Sequence, residues 1–102
     1  KSLLIISPEY GPRIRLATVL TNIPLLADKP LKNRCGRCMV CVKACPASAI
    51  KNVNTESHYT SRNEAVHLDR CHAKAEEFKT IPGIGVRICG VCVKVCPFGR
   101  KH

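Results

Sequence analysis

Hydrophobic residues occur in short runs along this chain, and the spacing within each run predicts the element it forms. Residues 3–6 are Leu-Leu-Ile-Ile, which predicts a short buried strand that ends at Ser7-Pro8. Charged and apolar side chains then alternate from Arg13, which is typical of a half-buried strand over residues 13–18. Tyr10-Gly11-Pro12 is turn material between the two segments, so the pattern predicts a β-hairpin.

Two helices are predicted farther along the chain. Residues 38–45 can form a short helix that ends before Pro46, because proline disfavours helical geometry in the residue that precedes it. Asp69 is the predicted N-cap of a second helix over residues 70–79, which is rich in alanine and glutamate. The polar, turn-rich residues 51–64 predict a loop between the two helices.

The length and composition indicate one small domain that needs more than an apolar core to fold. The chain has 102 residues and eight cysteines, and a core built from so few residues is marginal. No apolar stretch approaches the roughly 20 residues that cross a bilayer, so no membrane span is predicted. The chain begins with Lys1 and enters an apolar run directly, which we interpret as a piece of a larger protein.

Four of the cysteines form one closely spaced run. Residues 35–46 follow the pattern Cys-x2-Cys-x2-Cys-x3-Cys-Pro, which is typical of bacterial iron–sulfur proteins. Disulfides are disfavoured because cysteines this close together cannot bridge without strain, and zinc prefers separated Cys-x2-Cys pairs. In proteins with two clusters, the fourth cysteine of such a run binds the other cluster. The run therefore predicts a second group of ligands downstream.

A second, incomplete run supplies those ligands. Residues 89–97 repeat residues 38–46 closely, but Val86 stands where the first cysteine of the complete run would be matched. Cys71 is the one cysteine left over, and it fills the gap, so the count closes at four ligands for each cluster. The first set is Cys35, Cys38, Cys41 and Cys96, and the second set is Cys45, Cys71, Cys89 and Cys92.

Exchange of the fourth cysteines implies two halves related by pseudo-twofold symmetry, with each cluster bound to both halves. We therefore expect cluster insertion and folding to be one event, and the metal-free protein to be largely unfolded. An ordinary buried Cys71 would instead leave the second cluster with three ligands and an open iron. His67 and His72 flank Cys71 and are expected to face solvent, because eight cysteines already fill eight positions.

With both runs placed, the chain resembles the iron–sulfur part of the epoxyqueuosine reductase and reductive dehalogenase superfamily, a ferredoxin-like domain with two [4Fe-4S] clusters. That family has a complete cysteine run, then an isolated cysteine, then an incomplete run. Residues 10–15 and 17–25 are also similar to the last stretch of the family's cobalamin-binding domain. The resemblance implies an α+β fold of the small bacterial-ferredoxin-like dicluster type. Residues 31–102 would form it, and residues 1–30 would be the β-hairpin tail of an upstream cobalamin-type domain.

The function that this resemblance implies is electron transfer. Two clusters would pass electrons, one at a time, to a cobalamin in the upstream domain, and an external low-potential donor would supply them in the cytoplasm. The family's catalytic acid has no match in this chain, so no catalytic residue is assigned. A stand-alone or subunit ferredoxin that serves another oxidoreductase is the alternative.

The charge of the chain bears on its partners. The formal net charge is +10, from 17 Lys and Arg against 7 Asp and Glu. One interpretation is that part of this excess compensates buried anionic clusters, and the other is a surface for an anionic partner such as RNA. The second interpretation favours tRNA over an organohalide as substrate. A zinc-structured RNA-binding module is a third, less favoured hypothesis. Two Tyr and two Phe provide no aromatic platform for single-stranded nucleic acid.

Overall fold

Helices and loops make up most of this small domain. The structure is a computed structural model that describes residues 1–55 and 58–100. Strand pairing within these residues is confined to two isolated antiparallel bridges, Ser7 with Gly11 and Ile50 with Val66. The described helices are α1 (Val40–Ala44), a 3₁₀ turn (Arg62–Glu64), α2 (Leu68–Lys79) and α3 (Val91–Val95). Few helices and little strand are consistent with a small iron–sulfur domain.

The two cysteine runs form matching short helices that pack against each other. α1 and α3 each have five residues. α1 ends at Ala44, and the backbone of its C-cap, Cys45, is extended before Pro46. The helix therefore ends before Pro46 as predicted, but it begins at residue 40 and not at residue 38. Gly90 precedes α3 with a φ of 111°, a left-handed conformation that glycine adopts without a Cβ penalty. Each run thus ends its helix immediately before the cysteine that precedes proline, and the pseudo-twofold relation between the halves stays a prediction.

α2 begins earlier than the sequence indicated. His67, and not Asp69, is its N-cap, and Asp69 lies in the first turn. A carboxylate there still stabilises the helix, because the helix dipole has its positive end at the N-terminus. The backbone N–H of Cys71 donates to the carbonyl of His67 at 3.1 Å, so it belongs to the helix ladder.

The hydrophobic core lies directly against the cysteines. Its buried residues are Ala49, Ile50, Ala65 and Val66, which lie on the two sides of the Ile50–Val66 bridge. Two backbone hydrogen bonds hold these segments together, from Lys51 N–H to the Ala65 carbonyl at 2.9 Å and from His67 N–H to the Ala49 carbonyl at 2.7 Å. The partly buried side chains that pack against this core include Cys41, Cys45 and Cys92. The packing that forms the core therefore also helps to position these cysteines.

The β-hairpin predicted within residues 1–30 is not confirmed. Ser7 and Gly11 exchange two backbone hydrogen bonds at 2.8 and 2.9 Å around a tight turn, and the flanking segments form no strand. From Leu16 to Leu31 the large apolar side chains are exposed, and Leu26 is 100% exposed. The alternating pattern marks a face suited to burial, but in the described part of the chain no neighbouring strand pairs with it.

Candidate metal centre

The first predicted set of cysteines converges on Cys41 in α1. Burial raises the pKa of the Cys41 thiol, the N-terminal ammonium group partly offsets this, and negative charge on Cys35, Cys38 and Cys96 raises the pKa further. These three cysteines therefore lie close enough to act on Cys41. Cys35 and Cys38 occupy the ends of a turn in which the Cys38 N–H donates to the Cys35 carbonyl at 2.8 Å. Cys96 follows α3 and comes from the other run. The structure therefore brings together the four residues that the sequence grouped.

The second predicted set lines one cavity of about 220 Å³. Cys45, Cys71, Cys89 and Cys92 all contribute to its wall, together with apolar atoms of core residues such as Ile50. Partial burial of the Cys71 sulfur against the cavity wall raises the pKa of this thiol, and charge on Cys45 and Cys89 raises it further. Cys71 is exposed while the other three are half-buried, so Cys71 is not an ordinary buried cysteine.

The histidines beside Cys71 have different positions. His67 is half-buried, so the expectation that it faces solvent is wrong, and it occupies the N-cap position of α2 without a side-chain capping hydrogen bond. His72 is exposed, as expected, but it also lines the cavity of the second cysteine set. It is therefore the residue to vary when four-cysteine ligation is tested against histidine ligation.

The chemistry of the donor set suits iron–sulfur clusters. All eight cysteines are free thiols, and [4Fe-4S] clusters bind through four cysteine thiolates. A zinc ion binds its thiolates about 2.3 Å from one point. Among the described residues, no three His, Cys, Asp or Glu side chains are placed to hold a single metal ion.

Hydrogen bonds from neighbouring residues fix the turn that carries Cys35 and Cys38. The Asn33 side-chain oxygen accepts from the Cys35 N–H at 2.8 Å. Its Nδ2 donates to Asn54 Oδ1 at 2.7 Å and to the Thr55 carbonyl at 2.5 Å. The Lys1 Nζ donates to the Cys38 carbonyl at 2.8 Å. Asn33 thus holds the backbone at Cys35, and Lys1 holds it at Cys38.

A larger cavity, of about 530 Å³, opens beside Cys35. The apolar run 3–6 forms part of its wall, together with Leu31, Asn33 and Tyr59. The Tyr59 hydroxyl donates to the Val53 carbonyl at 2.7 Å. The residues predicted as a buried strand therefore form a mostly apolar hollow next to the first cysteine set.

Arg13 reaches the second cysteine run from the N-terminal segment, a role that the sequence pattern did not reveal. Its guanidinium donates to the carbonyls of Phe98 at 2.8 Å, Lys94 at 2.9 Å and Cys96 at 2.9 Å. The alternating pattern assigned Arg13 to a strand, which gave no reason to pair it with residues more than 80 positions away. The available signal was its place in the Tyr10-Gly11-Pro12-Arg13 stretch that resembles the family.

Comparison with known families identifies the class of domain. Residues 34–99 match a family model described as a 4Fe-4S double cluster binding domain. The chain belongs to this family of iron–sulfur domains. The match confirms the predicted pair of [4Fe-4S] clusters and the predicted resemblance.

The curated relatives are reductases. The epoxyqueuosine reductase of Bacillus subtilis is 34% identical over 100 residues, covering 98% of this chain and 25% of the relative. The tetrachloroethene reductive dehalogenase of Sulfurospirillum multivorans is 36% identical over 105 residues, covering 95% of this chain and 20% of the relative. The epoxyqueuosine reductase of Listeria monocytogenes is 33% identical over 108 residues, covering 100% and 26%. The chain thus spans about a quarter of these relatives or less.

Two further findings concern solved structures and membrane spans. No solved structure gave a significant match to this chain. In the described part of the chain, every helix is too short or too polar to cross a membrane.

Proposed function

We propose that this chain relays electrons through two [4Fe-4S] clusters bound by exchanged sets of cysteines. Cys35, Cys38, Cys41 and Cys96 would hold one cluster, and Cys45, Cys71, Cys89 and Cys92 the other. Two observations support the proposal: Cys35, Cys38 and Cys96 all act on the pKa of Cys41, and Cys45, Cys71, Cys89 and Cys92 line one cavity. Each cluster, when bound, accepts and releases one electron at a time.

The surroundings of the cysteines suit this role. The core residues Ile50 and Val66 line the cavity of the second set, and apolar walls that limit water access lower the local dielectric around a cluster. The Ala49 N–H donates to the Cys45 sulfur at 3.4 Å. Hydrogen bonds to sulfur and burial are the means by which a protein sets the potential of such a cluster.

The electron acceptor of the relay would lie in the rest of a larger reductase. The exposed apolar side chains between Leu16 and Leu31 support this, because a face this apolar is suited to packing against another domain. Residues 1–30 would then be the tail of a cobalamin-type domain and residues 31–102 the double-cluster domain. Cobalamin is the acceptor that the family resemblance implies, and no residue of this chain is assigned to it. An external low-potential donor would supply the electrons in the cytoplasm, where thiols stay reduced.

Anaerobic reconstitution with iron and sulfide tests the proposal. We expect about eight iron and about eight sulfide per chain, with an EPR signal from the reduced protein. The variant His72→Ala is the matched control, because His72 lines the second cavity without being a proposed ligand. It should keep the full iron content. A colourless protein with two zinc ions would contradict the proposal, and iron loss in His72→Ala would contradict four-cysteine ligation.

RNA binding is a second candidate function, favoured by the net charge of +10. A basic surface binds phosphates by releasing their counterions, so the affinity should fall steeply and log-linearly with salt. Fluorescence anisotropy of the cluster-loaded chain with labelled tRNA, at several salt concentrations, measures this slope. Equal affinity at low and high salt, or no binding at low salt, would contradict RNA binding by this basic surface.

A further inference from the structure

Arg13 holds the backbone on both sides of Cys96. One guanidinium nitrogen donates to the Phe98 carbonyl at 2.8 Å, and the other donates to the carbonyls of Lys94 and Cys96, both at 2.9 Å. Lys94 lies in the last turn of α3, where carbonyls have no partner within the helix. A guanidinium is suited to this position because it is always charged and presents several donors in a rigid plane. Three bonds from one side chain thus fix the direction in which the chain leaves α3.

The segment that carries Arg13 also packs closely, backbone against backbone, on the loop that follows Cys96. A Cβ added at Gly11 would lie 2.0 Å from the Phe98 carbonyl oxygen, and a Cβ added at Gly99 would lie 2.0 Å from the Tyr10 carbonyl carbon. Both glycines also have positive φ, 61° and 73°. No side chain fits between the backbone of residues 10–11 and that of residues 98–99. The segment that carries Arg13 therefore has little freedom to shift relative to the loop after Cys96.

Arg34, which precedes the first cysteine of the first set, also contacts this loop. The guanidinium carbon of Arg34 lies 5.0 Å from the centre of the Phe98 ring, a cation–π contact. Arg34 precedes Cys35 in the chain. Phe98 is therefore held by Arg13 through its carbonyl and by Arg34 through its ring, next to two members of the first set, Cys35 and Cys96.

We propose that Arg13 is a positioning residue for Cys96, and that its three carbonyl contacts make the cluster of the first set depend on the N-terminal segment. This inference rests on the proposed function, since it assumes that Cys96 binds the first cluster. Arg13 would act in two ways. It fixes the backbone of the one ligand that the second run contributes, and it keeps a positive charge beside an anionic cluster. Of the three carbonyls that Arg13 contacts, one belongs to Cys96 of the first set and none belongs to a ligand of the second set.

The test compares Arg13→Met and Arg13→Lys with Arg15→Met in the full, reconstituted chain. Arg15 is exposed and lies two residues farther along, so its loss controls for a change in net charge. Iron release to a chelator is followed anaerobically, and EPR-monitored redox titration gives the potential of each cluster. Signals are assigned with Cys96→Ala for the first cluster and Cys89→Ala for the second.

In Arg13→Met, we expect one cluster to release iron about tenfold faster, because charge-assisted hydrogen bonds are lost. The potential of that cluster should fall, because a nearby positive charge no longer stabilises the reduced form. Arg13→Lys should restore most of the potential but not the slow release, since a lysine keeps the charge without the planar set of donors. The second cluster and the Arg15→Met protein should behave as wild type.

Three results would overturn the inference. Unchanged release and potential in both Arg13 variants would show that the contacts do not position Cys96. Equal acceleration of both clusters in Arg13→Lys, or failure of that variant to fold, would show a general structural role instead. A wild-type chain that takes up no iron is a different outcome, because it refutes the proposed function itself.

Discussion

Cys41 and Cys92 come from different cysteine runs and from different proposed ligand sets, yet a charge on Cys41 acts on the thiol of Cys92. Burial raises the pKa of the Cys92 thiol, and among the nearby charges that raise it further is that of Cys41. The two residues lie in α1 and α3, which pack against each other. We therefore expect the proposed clusters to lie on either side of this helix pair and close to each other.

Two clusters so close should interact magnetically. In the fully reduced protein we expect a broadened or split EPR signal, which reports two nearby unpaired spins. Cys71→Ala/Cys89→Ala, which takes two ligands from the second set, should remove the second cluster and leave the narrow signal of a single, isolated one. Independent narrow signals in the fully reduced wild-type protein would contradict the adjacency.

The contact between Gly99 and Tyr10 gives a prediction for stability. Gly99→Ala forces a Cβ to within 2.0 Å of backbone, whereas Gly85→Ala meets nothing within 4 Å. Both glycines have similar positive φ, 73° and 66°, so both substitutions should cost about 1–2 kcal/mol of conformational strain. Gly99→Ala should cost about 1–3 kcal/mol more because of the clash. The temperature at which the clusters bleach measures the difference, and equal losses in the two variants would show that the contact is not tight.

Asn33 should stabilise the turn of the first set. Asn33→Ala removes three hydrogen bonds, to Cys35, Asn54 and Thr55, each worth about 1 kcal/mol. We expect faster iron release from the first cluster alone. Asn33→Ser is the matched control, because its hydroxyl can still accept from the Cys35 N–H, and its effect should be intermediate. Identical release from Asn33→Ala and wild type would rule out this role.

The metal-free chain should be largely unfolded. Four hydrophobic residues are buried in the described part of the chain, and several cysteines pack directly against them. Such a core leaves much of the folding free energy to the clusters. NMR of the chelated protein should show poorly dispersed amide signals that sharpen and spread on reconstitution. A well-dispersed spectrum without metal would contradict this coupling.

The sequence predicted the cysteine groups because their spacing is a chemical constraint. Cluster ligands must reach one locus, so the run ending in Cys45-Pro46 and the gap at Val86 were informative without any knowledge of packing. The same run predicted α1, since proline limits where that helix can end. These signals are local, and α1 (Val40–Ala44) lies within the predicted residues 38–45.

Contacts between segments that are distant in the sequence could not be predicted in this way. Alternation after Arg13 reports which side chains suit burial, but it does not say what will cover them, and the predicted hairpin is not confirmed. The contacts of Arg13 and the fit of Gly11 against Phe98 join segments that are more than 80 residues apart. Such contacts depend on how the two runs pack, which no local pattern encodes.

Paired substitutions distinguish exchanged fourth cysteines from fourth cysteines that bind the cluster of their own run. If Cys45 binds with Cys92, then Cys45→Ala/Cys92→Ala damages one cluster, and about four iron should remain with one intact EPR signal. Cys45→Ala/Cys41→Ala would damage both clusters and leave neither intact. The reverse pattern, with an intact cluster in Cys45→Ala/Cys41→Ala and none in Cys45→Ala/Cys92→Ala, would show that each run keeps its own fourth cysteine and would contradict the account.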